Sequence, residues 1–76
     1  MRRRLRRKYR QIEFVISGGC WVCLNRRDQH RAGVLSWEPI HKQWVASIES
    51  AGIWSAAKLD DLAHFLRQIN AEGVPV

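Results

Sequence analysis

Seven of the 13 basic residues of this 76-residue chain fall within its first ten positions, so whatever folds must be built from the other 66. These are Arg2, Arg3, Arg4, Arg6, Arg7, Lys8 and Arg10. Like charges at that density repel one another and offer no apolar face, which is the signature of a flexible arm. Residues 11–76 hold the other six cations against all seven carboxylates, a balance of −1. The chain therefore divides into a basic arm (1–10), a near-neutral domain (11–70) and a frayed tail (71–76).

A domain of this length buries only about 60% of the surface its unfolded chain exposes, so its core must be small and dense. Trp21, Trp37, Trp44 and Trp54 supply the bulk. Ile12, Phe14 and Ile16 alternate with Glu13, Val15 and Ser17, the period of a half-buried strand. Gly18-Gly19 then separates this run from Cys20-Trp21-Val22-Cys23-Leu24, and two glycines between apolar runs predict a hairpin. The polar stretch from Asn25 to Gly33 predicts a loop. A second hairpin comes after it, Val34–Glu38 and Gln43–Glu49, joined by Pro39-Ile40-His41-Lys42. Ser50-Ala51-Gly52 predicts a turn, and Ile53-Trp54 a short fifth strand or the lead into a helix.

Ser55 has the chemistry of an N-cap. After it, Leu59, Leu62, Ala63, Leu66 and Ile69 recur at spacings of three and four, with Phe65 at the margin of the stripe. Asp60 and Asp61 lie in the early turns and Arg67 in the late ones, each favourable for the helix dipole, and Gly73 marks the stop. The expected fold is α+β: a small antiparallel sheet of four to five strands in two hairpins, one C-terminal amphipathic helix across one face, and the flexible arm in front.

Cys20, Cys23, His30 and His41 give C-x2-C-x6-H-x10-H, four potential zinc donors. The histidines stand too far apart for a finger. Within a regular strand the two cysteines also point to opposite faces, so the strand and the metal exclude each other. The strand is the better reading, and no cofactor is expected. A redox dithiol would need a helix starting at Cys20, where none is predicted. His64 four residues after Asp60 reads as a solvent-facing helix contact rather than a catalytic dyad. With no nucleophile elbow, H-E-x-x-H or phosphate loop, the chain is not expected to be an enzyme.

Two cysteines are too few for a secreted disulfide framework, and the expected compartment is the cytoplasm. A basic start followed by Ile12–Leu24 imitates a secretory signal, but Glu13 and Gly18-Gly19 interrupt the apolar run. Nothing approaches the roughly 20 apolar residues of a membrane span. Only Leu5 breaks the charges before Tyr9, so the arm lacks the apolar face of a membrane-surface helix.

The arm points instead to phosphate. Arginine binds phosphate oxygens bidentately, and clustered cations release counterions from nucleic acid. Arg26, Arg27 and Arg31 in the long loop offer a second contact, and Tyr9 a ring on which a base can stack. The expected function is a small binding or regulatory protein whose arm engages nucleic acid or a nucleoprotein complex. The alternative is an inhibitor or adaptor of the kind mobile elements encode, which blocks a surface of a larger host complex through protein–protein contacts, its arm docking on an acidic protein surface. It would use Trp21 and Trp37 as exposed anchors. The edges of an open sheet would also allow a homodimer.

Overall fold

The computed structural model describes residues 5–49 and 52–72. Four strands, β1 (Ile12–Ser17), β2 (Cys20–Asn25), β3 (Arg31–Glu38) and β4 (Gln43–Ile48), form one antiparallel sheet in the order β1-β2-β3-β4, and helix α1 (Ala56–Glu72) completes the fold. The α+β expectation is met with four strands. Ile53-Trp54 leads into the helix without joining the sheet, and Ser50 and Ala51 of the expected turn lie outside the described residues.

Gly18 and Gly19 both have positive φ, 55° and 82°, which is why the first hairpin turns in two residues. Strand β3 begins at Arg31, three residues before the expected Val34, and so shortens the predicted loop. A bulge makes this possible: Cys23 pairs with Gly33 and Leu24 with Arg31, leaving Ala32 as the extra residue. A Cβ on Gly33 would lie 2.9 Å from the Ser47 carbonyl oxygen, so the bulged strand approaches β4 too closely for a side chain. At the far end, the Glu38 carboxylate accepts the Ile40 and His41 amides at 2.8 and 2.7 Å and closes the second hairpin, where Lys42 takes φ 54°.

One sheet face carries the core. Ile12, Phe14, Trp21, Cys23, Leu35 and Trp44 are buried there beneath Leu62, Phe65 and Ile69. Phe65 stacks on Phe14 with ring centroids 3.9 Å apart and meets Trp21 edge-on at 5.1 Å. The edge-on contact with Trp21 is of the kind that adds about 0.5–1.5 kcal/mol to area burial, while the near-parallel stack on Phe14 contributes chiefly buried area. The buried helix stripe is Lys58, Leu62, Phe65 and Ile69, so Phe65 is central and fully buried while Leu59 is exposed. The stripe is therefore rotated from the expected one: the ring stack on Phe14 and the seat found by Lys58 turn Leu59 outward. Ser55 is the N-cap, its hydroxyl accepting the Lys58 amide at 3.1 Å. No acidic side chain lies in the first turn and no basic one in the last. The helix runs through Glu72, so residues 71 and 72 belong to it rather than to a frayed tail; Gly73 and the rest of that tail lie outside the described residues.

Trp21 is buried, against the expectation that it stands exposed. It shares its face with Cys23 and Phe14, and that is the face the helix covers; Val22 and Leu24 turn to the other side. On that uncovered side Val15, Val22 and Val34 stand in one cross-strand row, partly open to solvent.

The described half of the arm lies on the body. Leu5 packs against the core, and Tyr9 is buried at 2% exposure within it. The Phe14 amide donates to the Arg7 carbonyl at 2.9 Å and the Tyr9 amide to the Ile12 carbonyl at 2.8 Å, with Lys8 bridging Glu13, so the arm folds back along the outer edge of β1. The Tyr9 hydroxyl meets His64 Nδ1 at 2.7 Å and accepts from Gln68 Nε2 at 2.8 Å. His64 is thus engaged with the arm, not merely facing solvent. Gln68 also accepts the Arg6 amide and donates to the Arg6 carbonyl, each at 3.0 Å. A flexible arm reaching residue 10 is not what residues 5–10 form, because a single buried aromatic among the charges supplies the anchor that composition conceals. Arg2, Arg3 and Arg4 lie outside the described residues.

Among the described residues, no helix is long and apolar enough to cross a membrane.

Candidate functional site

Where the arm turns back, it meets the turn between β2 and β3. The Arg26 amide donates to the Gln11 carbonyl at 3.0 Å, and the Arg26 guanidinium donates to the Tyr9 carbonyl at 2.8 Å. Arg10 therefore shares a wall with Arg26 and Arg27 although they are distant in sequence. The turn itself is held by the Gln29 amide on the Asn25 carbonyl at 2.7 Å, with Gln29 at φ 62°, and by the His30 amide on Asp28 Oδ1 at 3.0 Å. The segment before the helix closes the third side. Together these parts enclose an open concavity of about 780 Å³ lined by Arg10, Gln11, Asn25, Arg26, Arg27, Asp28, Gly52, Ile53 and Lys58.

Lys58 is the residue that sequence reading missed. It is only 7% exposed, and its ammonium donates to Asn25 Oδ1 at 2.7 Å and to the Ile53 carbonyl at 3.4 Å, while lying 4.4 Å from the Trp54 ring centroid. All three partners are uncharged. Among the described residues no carboxylate comes within ion-pair distance of it. Such burial is tolerated because the charge is hydrogen-bonded and backed by a π face. Its position three residues after the N-cap was the one available signal, and a lysine there ordinarily reads as solvent-facing.

The balance of charge in the concavity is four cations against one acid, Asp28, which is engaged with His30. Elsewhere three carboxylates have local partners: Glu13 accepts from Gln29, Glu49 pairs with Arg31 at 3.0 Å, and Glu38 pairs with His41, while Asp60, Asp61 and Glu72 lie on α1. Glu38 is held below the usual carboxylate range, first by the His41 amide. The carboxylates that neutralise the body on paper thus leave Arg10, Arg26 and Arg27 without ion pairs among the described residues.

The other expected site residues disperse. Arg6 lies over the Tyr9 ring at 4.4 Å and Arg7 over Trp21 at 5.3 Å, so both are carried on the arm beside the helix. Lys8 is exposed on the same segment. Arg31 is committed to Glu49 and does not join Arg26 and Arg27. Tyr9 is too deeply buried to stack on a base. Of the two expected anchors, Trp37 is half-buried against Trp44, ring centroids 6.0 Å apart, and Trp21 is covered.

The four potential zinc donors do not converge. Cys23 faces the core and Cys20, three residues earlier on β2, the opposite side; His30 lies in the β2–β3 turn and His41 in the β3–β4 turn. Burial pushes the Cys23 thiol up to about 11, with Lys58 pulling the other way, so it is a poor nucleophile at neutral pH. No group of three or more metal-binding side chains occurs among the described residues. No protein-family model matches the chain, and neither a curated protein nor a solved structure matches it.

Proposed function

We propose that this protein is a small non-enzymatic binding or regulatory protein that engages nucleic acid, alone or within a nucleoprotein complex, through the arm and the turn it packs against. The observation that supports this reading is the convergence of Arg10, Arg26 and Arg27 with Lys58 around one concavity, with no ion pairs among the described residues to spend their charge. Phosphate oxygens are the ligands such a cluster suits, since arginine offers them two parallel donors. Arg6, Arg7 and Lys8 extend the same charge along the edge of β1. Two thiols without disulfide partners fit a reducing cytoplasm, which is part of the reading. The blocking-protein alternative loses one of its two anchors with the burial of Trp21.

The test is fluorescence anisotropy of labelled oligonucleotides across a salt series. It compares the full chain with a variant carrying Arg2→Gln, Arg3→Gln, Arg4→Gln and Lys8→Gln, which spares Tyr9 and its partners. Binding should weaken, and the slope of log affinity against log salt should become shallower by about 0.7–0.9 for each phosphate no longer neutralised. Unchanged affinity and slope would defeat the role assigned to the arm.

A further inference from the structure

Resting on the nucleic-acid reading, we infer that the concavity bounded by Arg10, Arg27 and Ile53 is a single-strand site, taking an unpaired nucleotide whose neighbouring phosphates track the arm. Three features of the wall separate this from a surface that merely attracts a duplex. The first is shape. The hollow, about 780 Å³ and open to solvent on one side, has room for a nucleotide, whereas duplex backbone presents a convex ridge that touches only its rim.

The second is composition. Beside the cations stand the amides of Gln11 and Asn25 and the almost fully exposed side chain of Ile53, so the hollow offers hydrogen-bonding groups and an apolar contact as well as charge. Phosphate alone requires neither; an unstacked base uses both. The third is an unmet donor. The Trp54 indole N–H is buried with no hydrogen-bond partner among the described residues, and a Cβ on Gly52, which lines the hollow, would lie 3.4 Å from it. A buried donor left without an acceptor is costly; Trp54 does not itself line the hollow, so a shift of the Gly52 segment would be needed to bring this donor to a ligand.

Beneath this wall, Lys58 holds a positive charge compensated only by neutral oxygens and a ring. Its field is fixed before any ligand arrives, while Arg10 and Arg27 at the surface are free to close on phosphates. From Arg10 the arm leads away with Lys8 beside Glu13, then Arg7 over Trp21 and Arg6 over Tyr9 beside α1, a succession of charge that fits a strand better than an isolated nucleotide.

The experiment measures anisotropy of a labelled single-stranded 12-mer and of the same sequence as a duplex. The proteins are the full chain, Arg10→Glu and Arg27→Glu; circular dichroism checks that each variant is folded. The expected result is a preference for the single strand, lowered about tenfold or more by either variant, with duplex binding much less affected. Equal affinity for both forms, or a single-strand preference indifferent to both variants, overturns this site while leaving the broader reading standing. No binding of either oligonucleotide by the full chain overturns both.

Discussion

The two edges of the sheet are covered by opposite ends of the chain and by different means. Along β1 the cover is backbone: the arm meets Ile12 and Phe14 with main-chain hydrogen bonds, secured by Tyr9 beneath the helix. Along β4 it is, among the described residues, one side chain. Asn70 accepts the Trp44 amide at 2.6 Å and donates to the Trp44 carbonyl at 3.3 Å, imitating a neighbouring strand at a single point. An exposed edge invites pairing with another chain, so either device suppresses unwanted association. The backbone cover does something the amide does not: it brings arginines with it and makes them part of a defined surface. The edge left for a homodimer is correspondingly reduced to the stretches outside Ile12–Phe14 and Trp44.

The comparison can be broken most forcefully at Tyr9. Tyr9→Ala removes a buried ring and should cost about 3–5 kcal/mol in urea unfolding. Native-state hydrogen exchange should then show the Phe14 amide losing protection far more than the Trp44 amide. Equal loss at both edges would mean that the arm is not a separate cover. The converse change, Asn70→Ala, should cost about 1–3 kcal/mol by leaving the Trp44 amide unpaired, and its exchange signature should be confined to β4.

The smallest effect concerns alkaline pH. Burial raises the Tyr9 phenol above its ordinary value of 10.0, against the opposing pull of Arg6. The native chain therefore keeps this proton more tightly than the unfolded one, so the stabilisation is complete below pH 10 and is lost as pH rises through the raised value. Cys23, at about 11, contributes in the same direction. A denaturation series from about pH 8 upward should show the loss, and Tyr9→Phe should diminish it. A loss of the same size in that variant would assign all of it to the thiol or to other groups.

Much of this fold was legible because its signals are local. The strand Ile12–Ser17, the Gly18-Gly19 turn and the Ser55 cap each depend on a few adjacent residues, and each stands where expected, although burial follows the period of two only to Phe14 and leaves Ile16 66% exposed. The errors occur where one residue answers to a distant one. Trp21 turns inward because α1 covers that side of the sheet; Phe65 becomes central because Phe14 lies opposite; Lys58 is buried where Asn25, 33 positions away, accepts a hydrogen bond from its ammonium. The same limit governs the candidate site. Charge counting found Arg10, Arg26 and Arg27, but it could not remove Arg31, whose partner Glu49 stands just past the end of β4, or add Lys58.

The Arg6–Gln68 contact spans 62 positions, while the sheet closes hairpin by hairpin between neighbours in sequence. The arm is seated twice, by backbone hydrogen bonds to Ile12 and Phe14, close by in sequence, and by His64 and Gln68, which do not exist until most of the helix has been made. Throughout that interval the nascent chain presents its cations without the helix that will seat them. The basic surface is complete only with α1 in place, because Lys58 and the seat of Arg6 belong to the helix.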